Sequence, residues 1–223
     1  MKTFYQCLLF ALVAIPGWSQ APAAADDLSA LGMKVSVTII FDTSGSMNDH
    51  RKLIMAKQAF NWWLATAPRQ TIARWSLWAF DDRHQDGINL VDRKPNAAAE
   101  VQEQINRFVA GGGTPLGRTI DRVARIIDAE NRKAEEGKAD ILRQIVLIFT
   151  DGQDSYSSVP AMQKTITHLR NTGAEVFSIG YQGEGDYLAK VSDKFIMVDD
   201  EKQLKSGLSE FTYFIEKAAP TTK

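Results

Sequence analysis

The chain has 223 residues, of which 44% are hydrophobic and 24% are charged, and its net charge at pH 7 is −1. This length and composition suit one folded domain with a sizeable core. The near-neutral charge gives no reason to expect nucleic acid or an anionic membrane as a partner.

The first 25 residues have the pattern of a secretory signal peptide. Lys2 precedes an apolar run at residues 8–15, and small residues follow as far as Ala23 and Ala25. The run is too short to span a bilayer, which needs about 20 residues. Cleavage before Asp26 would remove the only cysteine and one lysine, so the net charge would change from −1 to −2. A cysteine-free exported domain favours a secreted or periplasmic bacterial protein.

The remaining chain is expected to form one domain. Residues 26–33 form a lead-in, residues 34–215 form the domain, and residues 216–223 form a polar tail. No segment after the leader has transmembrane length, and no internal repeat is visible.

Strands and helices are predicted to alternate along the domain. In chain order, we expect a strand at 34–41, a polar loop at 44–50, a helix at 51–67, a strand at 73–80, a short hairpin strand near 88–91, helices at 96–110 and 116–130, a charged connector at 132–140, a strand at 143–150, a helix at 160–171, a strand at 174–181, a short helix at 187–192, a strand at 194–199 and a closing helix at 202–215. This order predicts a doubly wound α/β fold. Its six-stranded sheet would be mostly parallel, with one antiparallel edge strand and helices on both faces.

Three oxygen-bearing side chains follow the first predicted strand at alternate positions. Asp42, Ser44 and Ser46 can point one carboxylate and two hydroxyls toward a common centre. Hard oxygen ligands of this kind suit Mg²⁺, with Mn²⁺ or Ca²⁺ as alternatives. The same serines could instead cap the helix that follows, and the two roles are compatible.

Three separated segments together resemble the von Willebrand factor A family, which includes the integrin inserted domains. Asp42, Ser44 and Ser46 form an Asp-x-Ser-x-Ser motif, Thr114 stands in a Gly-Gly-Gly-Thr-Pro loop, and Asp151 follows the most continuous apolar strand. The resemblance implies a complete metal-ion-dependent adhesion site. In it, Ser44 and Ser46 would coordinate the ion directly, Thr114 would approach from a second loop, and Asp42 and Asp151 would serve the inner or outer shell.

The resemblance implies a binding protein rather than an enzyme. An Asp or Glu side chain from a partner protein would complete the coordination sphere, in adhesion or assembly. Gly113, Asp154 and Tyr156 are expected to lie on the partner-binding face. The glycines at 111–113 could let their loop shift, or they could simply form a turn that ends a helix.

A metal-assisted hydrolase using the same site is the alternative function. It would need a base near a serine, and the chain offers only His50, His84 and His168, with no Gly-x-Ser-x-Gly motif. A chaperone-like accessory to an intracellular ATPase is a third hypothesis, against which the leader argues. The acidic cluster at residues 81–86 is interpreted as a polar hairpin turn, with a second ion site as the alternative.

Overall fold

Five parallel strands form the centre of the molecule. The computed structural model describes residues 34–69, 71–81, 97–152, 154–182, 186–190 and 192–217. Within these residues, the strands lie in one sheet in the order β2-β1-β3-β4-β5. Their bounds are β1 Val35–Asp42, β2 Ile72–Phe80, β3 Arg143–Thr150, β4 Glu175–Tyr181 and β5 Lys194–Val198.

Helices cover both faces of the sheet. Their bounds are α1 Lys52–Thr66, α2 Ala97–Arg107, α3 Leu116–Glu135, α4 Val159–Asn171, α5 Asp186–Ala189 and α6 Glu201–Lys217. Buried residues of α1, α2 and α6 pack on one face, and those of α3, α4 and α5 pack on the other. The doubly wound α/β fold expected from the alternating elements is confirmed.

The first strand shows why the sheet is covered on both sides. All eight residues of β1 are buried. Val37, Ile39 and Phe41 join the core on the α1 side, whereas Ile40 joins the core on the α3 side. Successive side chains of a strand point to opposite faces, so a strand apolar at nearly every position needs a helical layer on each face.

Aromatic side chains dominate the core beneath α1. The ring of Trp63 lies 5.6 Å from that of Trp75 and 5.4 Å from that of Phe211. Its indole N–H donates to the Thr212 hydroxyl at 2.9 Å. Trp62, the next residue on the same helix, points outward and is 40% exposed. Adjacent tryptophans on α1 therefore lie in opposite environments, one in the core and one at the surface.

Several predicted element bounds were wrong. The charged connector at 132–140 begins as helix, because α3 continues through four good helix formers to Glu135 and ends before Gly137, whose φ is +69°. The polar loop at 44–50 is a 3₁₀ segment, Gly45–Arg51. The closing helix runs to Lys217, so residues 216 and 217 do not belong to a tail.

Other predictions lie outside the described residues. These are the leader and lead-in at 1–33, the antiparallel strand near 88–91, and the last six residues of the tail. In the part of the chain that the structure describes, no helix has the length and apolar character needed to cross a membrane.

The tryptophan pair on α1 allows a matched test of the core. We expect Trp63→Ala to lower the free energy of unfolding by about 3–5 kcal/mol, because it removes a fully buried ring and leaves a cavity. Trp62→Ala should change it by less than about 0.5 kcal/mol. Urea unfolding followed by circular dichroism measures both values, and equal losses in the two variants would contradict this description of α1.

Candidate metal centre

The predicted motifs meet at the carboxyl end of the sheet, between its two central strands. Asp42 is the last residue of β1, and Asp151 directly follows Thr150, the last residue of β3. β1 and β3 are neighbours in parallel register. The chain leaves β1 for α1 on one face and leaves β3 for α4 on the other. This reversal of winding direction opens a crevice where doubly wound folds bind ligands.

Asp42 is fixed by hydrogen bonds to both of its carboxylate oxygens. Its side chain is fully buried. Oδ1 accepts the backbone N–H of Ser44 at 2.7 Å, and Oδ2 accepts the hydroxyl of Thr150 at 2.6 Å. A buried carboxylate held by donors from two different segments of the chain has a defined orientation.

A chain of hydroxyls joins Asp42 to the second carboxylate. The hydroxyl oxygens of Ser44 and Ser46 lie 3.1 Å apart. The Ser46 hydroxyl donates to Asp151 Oδ1 at 2.7 Å. The structure thus brings Asp42, Ser44, Ser46 and Asp151 together, as the sequence predicts, although their role as metal ligands stays a prediction.

Lys52 completes the hydrogen bonding of Asp151. Its Nζ donates to Asp151 Oδ2 at 2.7 Å, and the Asp151 side chain is completely buried. Neither Lys52 nor Thr150 was identified from the sequence. The sequence does carry a weak signal for Lys52, because a lysine at the first position of a helix is electrostatically unfavourable and invites an explanation.

The glycine loop is attached to the serine loop by two backbone hydrogen bonds. The N–H of Gly45 donates to the Gly112 carbonyl at 2.9 Å, and the N–H of Gly111 donates to the Thr43 carbonyl, also at 2.9 Å. Gly112 has a φ of +75°, and a Cβ on Gly45 would lie 3.1 Å from the Gly112 oxygen. Glycine therefore suits both positions, because it adopts the positive φ of Gly112 and leaves room for the close approach at Gly45.

The glycines at 111–113 do not form the turn that ends α2. The interpretation of these glycines as a helix-ending turn was therefore wrong. The helix ends at Arg107, before Gly111. Thr114, two residues beyond Gly112, is buried. Its backbone N–H donates to the Ser155 hydroxyl at 3.1 Å, and its carbonyl accepts the Ser155 N–H at 2.9 Å. Thr114 is thus held against the segment that follows β3, and a shift of the glycine loop stays a prediction.

The three residues expected on the partner-binding face lie close together in the structure. Asp154 accepts backbone N–H groups of Gly117 at 2.5 Å, Tyr156 at 2.6 Å and Ser157 at 2.9 Å. This carboxylate therefore orders its own loop and the start of α3. The Tyr156 side chain is about half exposed, and its hydroxyl lies 2.8 Å from the position of a Cβ on Gly113. Partner contact by these residues stays a prediction.

Burial makes the Asp42 carboxylate electrostatically unfavourable. Its pKa is raised from 3.8 to about 6, mainly by desolvation and also by the negative charge of Asp151, although the hydrogen bonds from Ser44 and Thr150 act in the opposite direction. A bound cation would relieve both the desolvation and the repulsion.

The donor set fits a hard divalent cation. The four side chains that the structure brings together are two carboxylates and two hydroxyls, all oxygen donors of the kind that Mg²⁺, Mn²⁺ and Ca²⁺ prefer. Among the described residues, no group of three or more His, Cys, Asp or Glu side chains could hold a metal ion. Of the acidic cluster at 81–86, only Asp81 is described, and it accepts a hydrogen bond from the Thr43 hydroxyl at 3.3 Å.

Comparison with known families gives one match that covers most of the chain. The sequence profile described as von Willebrand factor type A domain matches residues 36–209. No curated protein matches the chain.

Solved structures with the same fold come from several sources. The pilus adhesin SpaC from Lactobacillus rhamnosus GG has a TM-score of 0.68 and 12% identity, over 82% of this chain and 30% of its own. Proximal thread matrix protein 1 from the mussel byssus, with a zinc-occupied MIDAS motif, has a TM-score of 0.62 and 18% identity, over 81% of this chain and 47% of its own.

A third structure is matched over almost its whole length. The vWF domain of a type V pili tip protein from Porphyromonas gingivalis has a TM-score of 0.64 and 11% identity, over 85% of this chain and 98% of its own. At these identities the likeness shows a shared fold. The chain spans less than half the length of the other two structures.

The raised pKa of Asp42 predicts a characteristic pH dependence of stability in the metal-free protein. The pKa of Asp42 is about 6 in the folded protein and 3.8 ordinarily, so protonation of Asp42 stabilises the folded state. This stabilisation is fully present below pH 3.8 and is lost as the pH rises through about 6. The loss is on the order of 3 kcal/mol. Asp42→Asn, which stays neutral, should therefore gain stability relative to the wild type between about pH 4 and pH 7.

Urea unfolding in EDTA at several pH values measures this difference. Asp121→Asn removes an exposed carboxylate on α3 and controls for the loss of one charge. A stability difference between Asp42→Asn and the wild type that stays constant over this pH range would contradict the prediction.

Proposed function

The chain belongs to the von Willebrand factor type A domain family, and on that premise we propose that it is an exported binding protein with one divalent cation. The cation would be held between the ends of β1 and β3 and would join the domain to an acidic side chain of a protein partner. Adhesion or assembly outside the bacterial cytoplasm is the role that fits these features.

The hydrogen-bond chain from Asp42 to Asp151 carries the proposal. Since Ser46 donates its proton to Asp151 at 2.7 Å, the lone pairs of its oxygen are directed away from that carboxylate and toward the crevice. Ser44 lies beside it at 3.1 Å. We assign the direct contacts to the hydroxyls of Ser44, Ser46 and Thr114.

Asp42 and Asp151 would stand behind these hydroxyls. All four of their oxygens already accept a hydrogen bond from a donor of the protein. Each carboxylate therefore supplies negative charge and orientation without leaving its donors. Mg²⁺ keeps several waters in most protein sites, so a sphere with three hydroxyls leaves positions open.

When bound, the cation supplies positive charge with an incompletely filled coordination sphere, which attracts an anionic oxygen. Mg²⁺ is the ion we propose, with Mn²⁺ or Ca²⁺ as alternatives. The zinc in the byssus protein supports metal binding at this position of the fold, while the all-oxygen donor set here favours a harder ion.

The contacts of the serines favour binding over catalysis. A nucleophilic serine needs a base that accepts its proton, commonly an imidazole. Here the Ser46 proton goes to a carboxylate that Lys52 already pairs. Of the described histidines, His50 is exposed on the 3₁₀ segment, and His168 lies 3.9 Å from Asp128 between α4 and α3.

The named functions of structural neighbours support the same role. They include a pilus adhesin, a pilus tip protein and a thread matrix protein. Each of these is a binding or structural protein by its description. The signal peptide predicted at residues 1–25 favours an extracellular or periplasmic location for this chain.

Cation binding should stabilise the folded domain. At a cation concentration of about 100 times Kd, the stabilisation is about 2.7 kcal/mol, which for a domain of this size raises Tm by about 5–10 °C. We expect Mg²⁺ or Mn²⁺ to raise Tm in a thermal melt by this amount. Ser46→Ala should lose most of the increase, because it removes one ligand and the hydrogen bond to Asp151.

The matched control for this experiment is Ser209→Ala. Ser209 is exposed on α6, and its hydroxyl donates to the Lys205 carbonyl at 3.0 Å. This variant should keep the whole increase in Tm. A wild-type protein whose Tm does not respond to either cation would refute the proposed metal site.

Partner binding should depend on the cation and on the same side chains. We expect affinity capture from a native cell envelope to retain a partner in Mg²⁺ and to lose it in EDTA. Ser46→Ala should lose it even in Mg²⁺, and Ser209→Ala should retain it. Undiminished capture in EDTA would show that the partner does not use the metal.

A further inference from the structure

We propose that the ammonium group of Lys52 weakens cation binding at this site and strengthens the binding of an anionic ligand group to the cation-loaded site. Lys52 would thereby balance the affinity for the cation against the affinity for the partner carboxylate. This inference rests on the proposed function, because it concerns the same metal centre.

The contact between Lys52 and Asp151 is unusual for a site that would attract cations. Lys52 is 8% exposed, and its Nζ lies 2.7 Å from Asp151 Oδ2. Its ammonium group is therefore a positive charge inside the cluster of oxygen donors. Asp151 accepts hydrogen bonds from both Lys52 and Ser46. The charge of Lys52 acts on any other cation in the cluster at short range and with little solvent screening.

Local structure does not favour a lysine at this position. Lys52 is the first residue of α1, where the helix dipole disfavours positive charge. The two residues before it, His50 and Arg51, both adopt positive φ values, 49° and 63°. Residues other than glycine rarely adopt positive φ values, so the turn is strained. The strained turn places the Lys52 ammonium group against Asp151. We therefore attribute the lysine at this position to its contact with the site.

The charge balance gives Lys52 its effect. Asp42 and Asp151 contribute two negative charges, and Lys52 cancels one of them. A divalent cation then exceeds the remaining charge of these three groups by one. This excess positive charge attracts an anionic ligand group. Without the charge of Lys52, the two carboxylates and the bound cation would together be neutral.

Other carboxylates near the site do not alter this comparison. Asp81 accepts from Thr43, and Asp154 is held by three backbone N–H groups. Both are present whether or not Lys52 is replaced. A variant of Lys52 therefore isolates one unit of charge.

Two binding equilibria are linked by this arrangement. If an anion strengthens cation binding by some factor, the cation must strengthen anion binding by the same factor. The ammonium group of Lys52 repels the cation and attracts the anion, so it weakens binding of the cation alone and strengthens binding of the anion to the cation-loaded site. Removing this group should strengthen binding of the cation alone and weaken binding of the anion to the cation-loaded site.

The test measures Mn²⁺ binding by electron paramagnetic resonance of free Mn²⁺, with and without acetate as the carboxylate probe and at constant ionic strength. In the wild type, acetate should lower the Kd for Mn²⁺ several-fold. In Lys52→Met, Mn²⁺ should bind about tenfold more tightly without acetate, and acetate should have a smaller effect. Lys52→Arg keeps the charge and should resemble the wild type.

Lys57→Met is the matched control on the same helix. Lys57 donates to the carbonyl of Asn106 at 2.9 Å and to that of Phe108, so its loss also removes one charge and structural hydrogen bonds, away from the site. Its Kd for Mn²⁺ should equal that of the wild type. If Lys52→Met does not fold, Lys52→Gln, which has a neutral donor, takes its place in the same comparison.

The outcomes separate this inference from the proposed function. A wild type that binds no Mn²⁺ overturns both. A wild type that binds Mn²⁺, with Lys52→Met binding no more tightly than Lys57→Met, overturns only the role of Lys52. Tighter Mn²⁺ binding that occurs only in the Lys52 variants without the positive charge supports the proposed role of Lys52.

Discussion

Two carboxylates buried side by side are the constraint on which the rest of the site depends. Asp42 and Asp151 end neighbouring strands and have almost no contact with water. Buried charges of the same sign repel each other and lack solvation, so the surrounding chain must supply donors. It does so with a backbone N–H, two hydroxyls and one ammonium group.

The doubly wound sheet explains why these groups can meet. Parallel strands bring their carboxyl ends to one edge, and the reversal of winding between β1 and β3 leaves that edge uncovered by a crossover connection. The serine loop and the glycine loop then approach each other closely, with Gly45 against the Gly112 carbonyl.

The donors neutralise the carboxylates only in part. Lys52 balances one negative charge, while the hydrogen bonds to Asp42 do not prevent the rise of its pKa to about 6. The site therefore keeps an excess of negative charge without a cation and has an excess of positive charge with a divalent cation bound. This intermediate charge suits a centre that binds a cation and an anionic group together rather than either one alone.

The sequence by itself determined the fold class, the order of the described elements and the loops that carry the motif, because periodicity and strand-ending residues are local properties. Through the family resemblance it also predicted Asp42, Ser44, Ser46, Thr114 and Asp151 as one metal site, and the structure brings four of them together, Asp42, Ser44, Ser46 and Asp151. The sequence did not identify Lys52 or Thr150, whose partners lie 99 and 108 positions away in the chain. Only the tertiary structure decided these contacts, because a hydrogen bond between distant residues depends on how the strands are ordered in the sheet.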